Sequence, residues 1–144
     1  MSAEETERTL RDYFDALLSG GDFARYFAED VVWMTMETGE EIRGRAAVAD
    51  YIVMLHRKLF DARPELLNSA AWDGGALAEA LFVGTHTGEF AGIAPTGTSV
   101  SVPYCVVYDI GGGAINALRA YFPVASLIKH LTDGLSASAQ VTHS

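Results

Sequence analysis

The sequence predicts one α+β domain in which N-terminal helices pack on a strongly curved antiparallel sheet and close it into a cone. Three observations carry that reading. Apolar residues recur at helical spacing between Leu10 and Leu59, the signature of amphipathic helices. Period-two alternation takes over in the second half and is clearest from Val100 to Ile110, as a half-buried strand requires. Glycine turns at Asp73–Gly75 and Gly111–Gly113 separate these later runs, which suits a meander of antiparallel strands. At 144 residues the chain can bury one core but not two. A single domain is therefore expected over residues 1–135, with a flexible, Ser- and Ala-rich tail over 136–144.

Each element has its own signal. Leu10, Tyr13, Phe14, Leu17 and Leu18 form one helical stripe, Ser2 and Glu5 make a capping box, and Gly20–Gly21 end the helix. Phe23, Tyr26 and Phe27 suggest a short second helix, and Val31–Met36 a strand. A third helix is expected from Arg45 to about Phe60, with Val48, Tyr51, Ile52, Leu55 and Leu59 inward and His56 on the surface or rim. Pro64 stops it. Strands follow at about Leu66–Trp72, Ala76–Thr87, Val100–Ile110 and Ile115–Phe122, then a short helix at Ser126–Thr132.

Composition narrows the function. Apolar residues make up 49% and charged residues 20%, with a net charge of −9, which is ordinary globular composition. No basic cluster exists, so nucleic acid is not an expected partner. The acidity implies solubility and a mild repulsion of anions. Cys105 is the only cysteine, which excludes an internal disulfide and a thiolate metal site. The four histidines lack ligand spacing, and Gly111–Gly113 join strands without opening a helix, so neither a metal nor a phosphate-bearing cofactor is expected. The polar start MSAEETER is no secretory signal, and no apolar run reaches the roughly 20 residues that span a bilayer. No membrane partner and a cytoplasmic location are expected.

Four runs carry a family resemblance. They are FAEDVVW at 27–33, GEEIRGRAAVADYI at 39–52, GTHTGEFAGIAPTG at 84–97 and ALRAYFPVASLIKHL at 117–131. Together they resemble the SnoaL-like polyketide cyclases of the nuclear transport factor 2-like superfamily. The resemblance implies the cone fold and a pocket for a hydrophobic small molecule. In such cyclases an Asp on the last strand is the general acid/base, but the matching stretch here offers only Ala120 and Pro123. Relatives like limonene-epoxide hydrolase hold a water with a Tyr, an Asn and an Asp, and use an Arg and a second Asp to assist. The corresponding positions read Trp33, Thr35, Ala120, Thr87 and Glu89, and only the last keeps a carboxylate.

Proton transfer must then come from elsewhere. His86 is a candidate because it can titrate near neutral pH, the alternative being a strand-pairing or dimer-face histidine. Glu89 is the second candidate, the alternative being a solvated carboxylate at a strand end. Trp33, Tyr51, Tyr104 and Phe122 are expected to bound the pocket and orient the substrate, although aromatics at such spacing also serve as plain core. Arg119 reads as a structural ion-pair partner. The outer sheet face, with Ser101, Cys105, Val107, Arg119 and Tyr121, suits burial against a second copy, so a homodimer is expected. The functional expectation is a cofactor-independent enzyme performing cyclisation, isomerisation or elimination on a hydrophobic, polyketide-like molecule. A non-catalytic binding or assembly module, or an epoxide hydrolase with a rearranged site, are the alternatives.

Overall fold

A computed structural model describes residues 2–143, with side chains over 2–133. Helix α1 (Ala3–Ser19) opens the chain; the Ser2 hydroxyl accepts the Glu5 N–H at 3.2 Å, and Gly20 closes the helix at φ 75°. That left-handed conformation suits glycine. A 3₁₀ turn (Phe23–Tyr26) leads into β1 (Phe27–Thr35), β2 (Glu40–Arg43) and α2 (Arg45–Val53). The third helix does not stay α-helical to Phe60: a π-helical turn occupies Met54–Leu59, and β3 already begins at Phe60.

Strands β3 (Phe60–Trp72), β4 (Gly75–His86), β5 (Ser99–Gly111) and β6 (Ala114–Tyr121) form the meander, and α3 (Val124–His143) follows. Helix α3 thus extends beyond the short Ser126–Thr132 helix expected from the sequence. Its backbone runs through the expected tail to His143, while the side chains beyond residue 133 lie outside the described residues. Sheet order is β2-β1-β6-β5-β4-β3. Every pair is antiparallel except β1–β6, which is parallel through Val32↔Ala117 to Thr35↔Ala120. The sheet is thus mixed, because β1 and β6 belong to different halves of the chain and meet side by side. β2, absent from the sequence reading, is a four-residue edge strand, too short to show alternation.

The prolines fall where a missing N–H costs little. Pro64 lies on edge strand β3, and Pro103 lies where β5 pairs with β4 alone, since pairing to β6 starts at Cys105. Register shifts leave extra residues in β1, β3 and β6 and interrupt the ladders, and such bulges bend strands.

The inner face carries two apolar clusters. One joins α1, α2, β1 and the turn-side half of β4–β6, around Tyr13, Phe27, Val31 and Tyr108. The other joins Leu55, Phe60, Phe82, Val102 and Phe122 to Leu127 and Leu131 of α3. Tyr51 and Tyr104 pack against both. The start of α3 is held by Glu37, whose carboxylate accepts the Val124 N–H at 2.5 Å.

Candidate functional site

Where the two clusters meet, the sheet and helices leave a narrow cavity, part of it open to solvent. Alternation on β1, β5 and β6 delivers Trp33, Tyr104, Tyr108 and Leu118 to its wall, with Phe122 just beyond β6. Helix α1 adds Tyr13, and the α2–π segment adds Ile52, Leu55 and His56. No carboxylate, lysine or arginine lies among these wall residues.

The phenols are kept neutral. Burial pushes Tyr13, Tyr104 and Tyr108 well above the ordinary phenol value, and their mutual proximity adds to the effect on Tyr13 and Tyr108. A neutral phenol in a low-dielectric wall is a hydrogen-bond donor suited to a carbonyl oxygen. Trp33 is fixed in place: its Nε1–H donates to the Thr35 hydroxyl at 2.9 Å.

His56 is the imidazole among the wall residues. Its Nδ1 lies 2.8 Å from the Ile52 carbonyl oxygen. A carbonyl can only accept, so the proton sits on Nδ1 and Nε2 bears a lone pair. That Nε2 is buried without a protein partner, and the ring stands edge-on to Phe82 at 5.4 Å. Burial holds its pKa below the ordinary 6.5; the Ile52 hydrogen bond works against this, and the Arg57 guanidinium adds to it. A neutral imidazole with a free lone pair, backed by a fixed Nδ1–H, has the make-up of a general base.

The expected site residues divide. Trp33, Tyr104 and Phe122 come together on the wall, and Tyr51 packs on Trp33 with ring centroids 5.3 Å apart. His86 and Glu89 are not brought to the cavity. Glu89 is exposed in the loop after β4, where a carboxylate stays solvated. His86 is fully buried, against Phe60. Its Nδ1 accepts the Thr96 N–H at 3.1 Å and meets the Thr96 hydroxyl at 3.0 Å, tying the 87–98 loop to the end of β4. It pairs with Phe60 across the β3–β4 ladder and is not a dimer-face histidine, because strand alternation turns it inward.

The positions matched to epoxide hydrolases scatter likewise. Trp33 and Thr35 are inside, Ala120 is buried, and Thr87 and Glu89 face solvent. Arg119 makes the expected ion pair, to Asp109 at 2.7 and 3.1 Å. Among the described residues no cluster of three or more His, Cys, Asp or Glu is placed to hold a metal ion.

The sequence sets His56 at the surface or rim because it follows inward Leu55, and the structure puts its ring in the wall of the cavity. One signal pointed the other way: Val48, Ile52 and His56 recur at intervals of four, which places them on one helical stripe.

Comparison with known proteins agrees with this architecture. The family model for the SnoaL-like polyketide cyclases matches residues 8–131. A candidate polyketide cyclase from Xanthomonas campestris superposes with a TM-score of 0.79 at 19% identity, covering 90% of this chain and 98% of that one. A candidate SnoaL-like polyketide cyclase from Jannaschia gives 0.80 at 16%, over 90% and 92%. An LEH-like epoxide hydrolase from M. tuberculosis gives 0.71 at 21%, over 99% and 98%. At such identities the superpositions speak for the fold alone. None of the curated proteins matches the chain. With most of its length matched, from the first helix to the start of the last, the chain belongs to the SnoaL-like polyketide cyclase family.

Proposed function

We propose that the protein is a cofactor-independent enzyme that moves a proton on a hydrophobic carbonyl compound, with His56 as the base. The observation that carries this is the unpartnered Nε2 of His56 in the cavity wall, its lone pair set by the Nδ1–Ile52 hydrogen bond. Nε2 takes a proton from the carbon next to the carbonyl, and the C–H electron pair moves onto the carbonyl oxygen as an enolate. A phenol such as Tyr104 donates a hydrogen bond to that oxygen. Where the substrate carries a β,γ double bond the enolate is a dienolate, and returning the proton to its γ-carbon moves the double bond into conjugation and isomerises the substrate. Attack of the enolate carbon on a second carbonyl closes a ring, and the proton goes to the new alkoxide. Trp33 and Phe122 supply apolar surface that selects the ligand, and Tyr51, outside the wall itself, packs on Trp33.

This reading moves the base from the last strand to the helix side of the cavity. It is tested with 2-tetralone in D2O, following deuterium uptake by NMR. Uptake accelerated by the wild type, lost in His56→Asn and kept in Glu89→Gln is the expected pattern. Full activity in His56→Asn sinks the assignment. The missing carboxylate favours a second reading, a non-catalytic binding module; tight 2-tetralone binding with no acceleration at all supports that one. A homodimer through the outer sheet face belongs to the proposal, motivated by Tyr121 at 50% and Trp72 at 43% exposure. Sedimentation as a 15.5 kDa species at micromolar concentration counts against it.

A further inference from the structure

We infer that the natural ligand carries an anionic group, held by Arg57 and Arg63 in a second cavity that adjoins the aromatic one. The inference rests on the reading above, that the aromatic cavity receives the ligand. The second cavity has about 690 Å³ of empty space, open to solvent in part. Leu17, Ile52 and His56 belong to both walls, so a molecule reaching from one space to the other passes the His56 ring. Arg57 comes from the π-helical turn and Arg63 from edge strand β3, and no Asp or Glu lies among the residues lining this space. In a chain of net charge −9, two cations without an acid in their cavity stand out. Among the described residues the ion pairs use Arg11, Arg43 and Arg119, and neither Arg57 nor Arg63 takes part.

Arg57 has one structural duty. It approaches Gly20 at the carbonyl end of α1, a helix with no basic residue in its last turn, and so complements the helix dipole. That leaves Arg63 unexplained, and guanidiniums pair well with carboxylate or phosphate oxygens. The ligand is then an amphiphile with its anion on the arginines and its reactive carbon beside His56.

The test is calorimetric titration of 2-naphthoate, 2-naphthyl phosphate and methyl 2-naphthoate, with acetate and inorganic phosphate as head groups alone. At least one of the two anions binds about tenfold tighter than the neutral ester, and the tighter one identifies the head group. Arg57→Gln/Arg63→Gln removes that preference and leaves the ester unchanged. Arg57→Lys/Arg63→Lys keeps part of it, which separates lost charge from lost fold. Lys129→Gln on α3 removes a charge elsewhere and keeps the preference whole. Equal binding of ester and anions, or a preference that survives the double Gln variant, overturns the inference and leaves the proposed function standing. Failure of every naphthyl probe to bind overturns both.

Discussion

Two histidines, one on the π-helical turn and one at the end of β4, show how a single neighbour decides what an imidazole can do. Both have Nδ1 hydrogen-bonded and Nε2 buried without a partner. At His56 the partner is the Ile52 carbonyl, an acceptor, so the ring proton is fixed on Nδ1 and Nε2 is basic. At His86 the partner is the Thr96 N–H, a donor, so Nδ1 must carry the lone pair and the neutral ring bears its proton on Nε2. The first arrangement leaves an unpartnered lone pair on a residue of the cavity wall. The second spends the lone pair on holding a loop.

The regions also touch. The N–H groups of Thr87 and Gly88 both donate to the Leu59 carbonyl, at 3.1 and 2.9 Å, so the loop after β4 rests on the end of the π-helical turn. Gly88 permits that seat, since a Cβ there would collide with the Lys58 carbonyl oxygen.

The largest expected effect comes from removing the base. His56→Asn keeps a donor near the Ile52 carbonyl but lacks Nε2, so proton-exchange turnover falls by about 10²–10⁴-fold. His86→Asn leaves turnover within a few-fold wherever the protein is folded; an equal loss at both positions erases the distinction. Gly88→Ala forces loop and turn apart, at a cost of about 1–3 kcal/mol in denaturant unfolding and with a weakened turnover beside it. Stability loss without any change in turnover means the seat does not position His56. Next, His86→Leu orphans the Thr96 N–H and lowers unfolding stability by about 1–3 kcal/mol, visible as a shift in the denaturation midpoint.

The smallest effect is the pH dependence. Burial lowers the folded-state pKa of His56 below 6.5. The unfolded chain therefore takes up this proton first as pH drops, and His56 costs stability from about 6.5 down to its own lower value, below which the cost is constant. Turnover follows the neutral form, staying level through pH 6.5 and falling only at the lower folded value. A turnover midpoint at or above 6.5, lost in no other way in His56→Asn, contradicts the buried base.

Much of the frame could be read from residue order. Alternation from Val100 to Ile110 placed Tyr104 and Tyr108 on the inner face, and the same rule placed Trp33 and Phe122. Ser2, Gly20 and the Gly74 turn marked their boundaries because each acts through its own backbone, whereas Pro64 lies inside β3 and bounds no element. Three features escaped. β2 is too short for a pattern, the parallel β1–β6 pair joins distant segments, and the π-helical turn ends the α-helical period before His56.

Sequence alone thus determined the α+β class, the aromatic wall and the absence of an acid at Ala120, since these depend on periodicity and residue identity. Tertiary structure decided which histidine faces the cavity and which nitrogen of each ring holds the proton. Those outcomes depend on a carbonyl four residues back across an irregular turn, and on an N–H ten residues ahead across a loop. Whether a neighbour donates or accepts is set by where the backbone brings it, and no local pattern of residues records that.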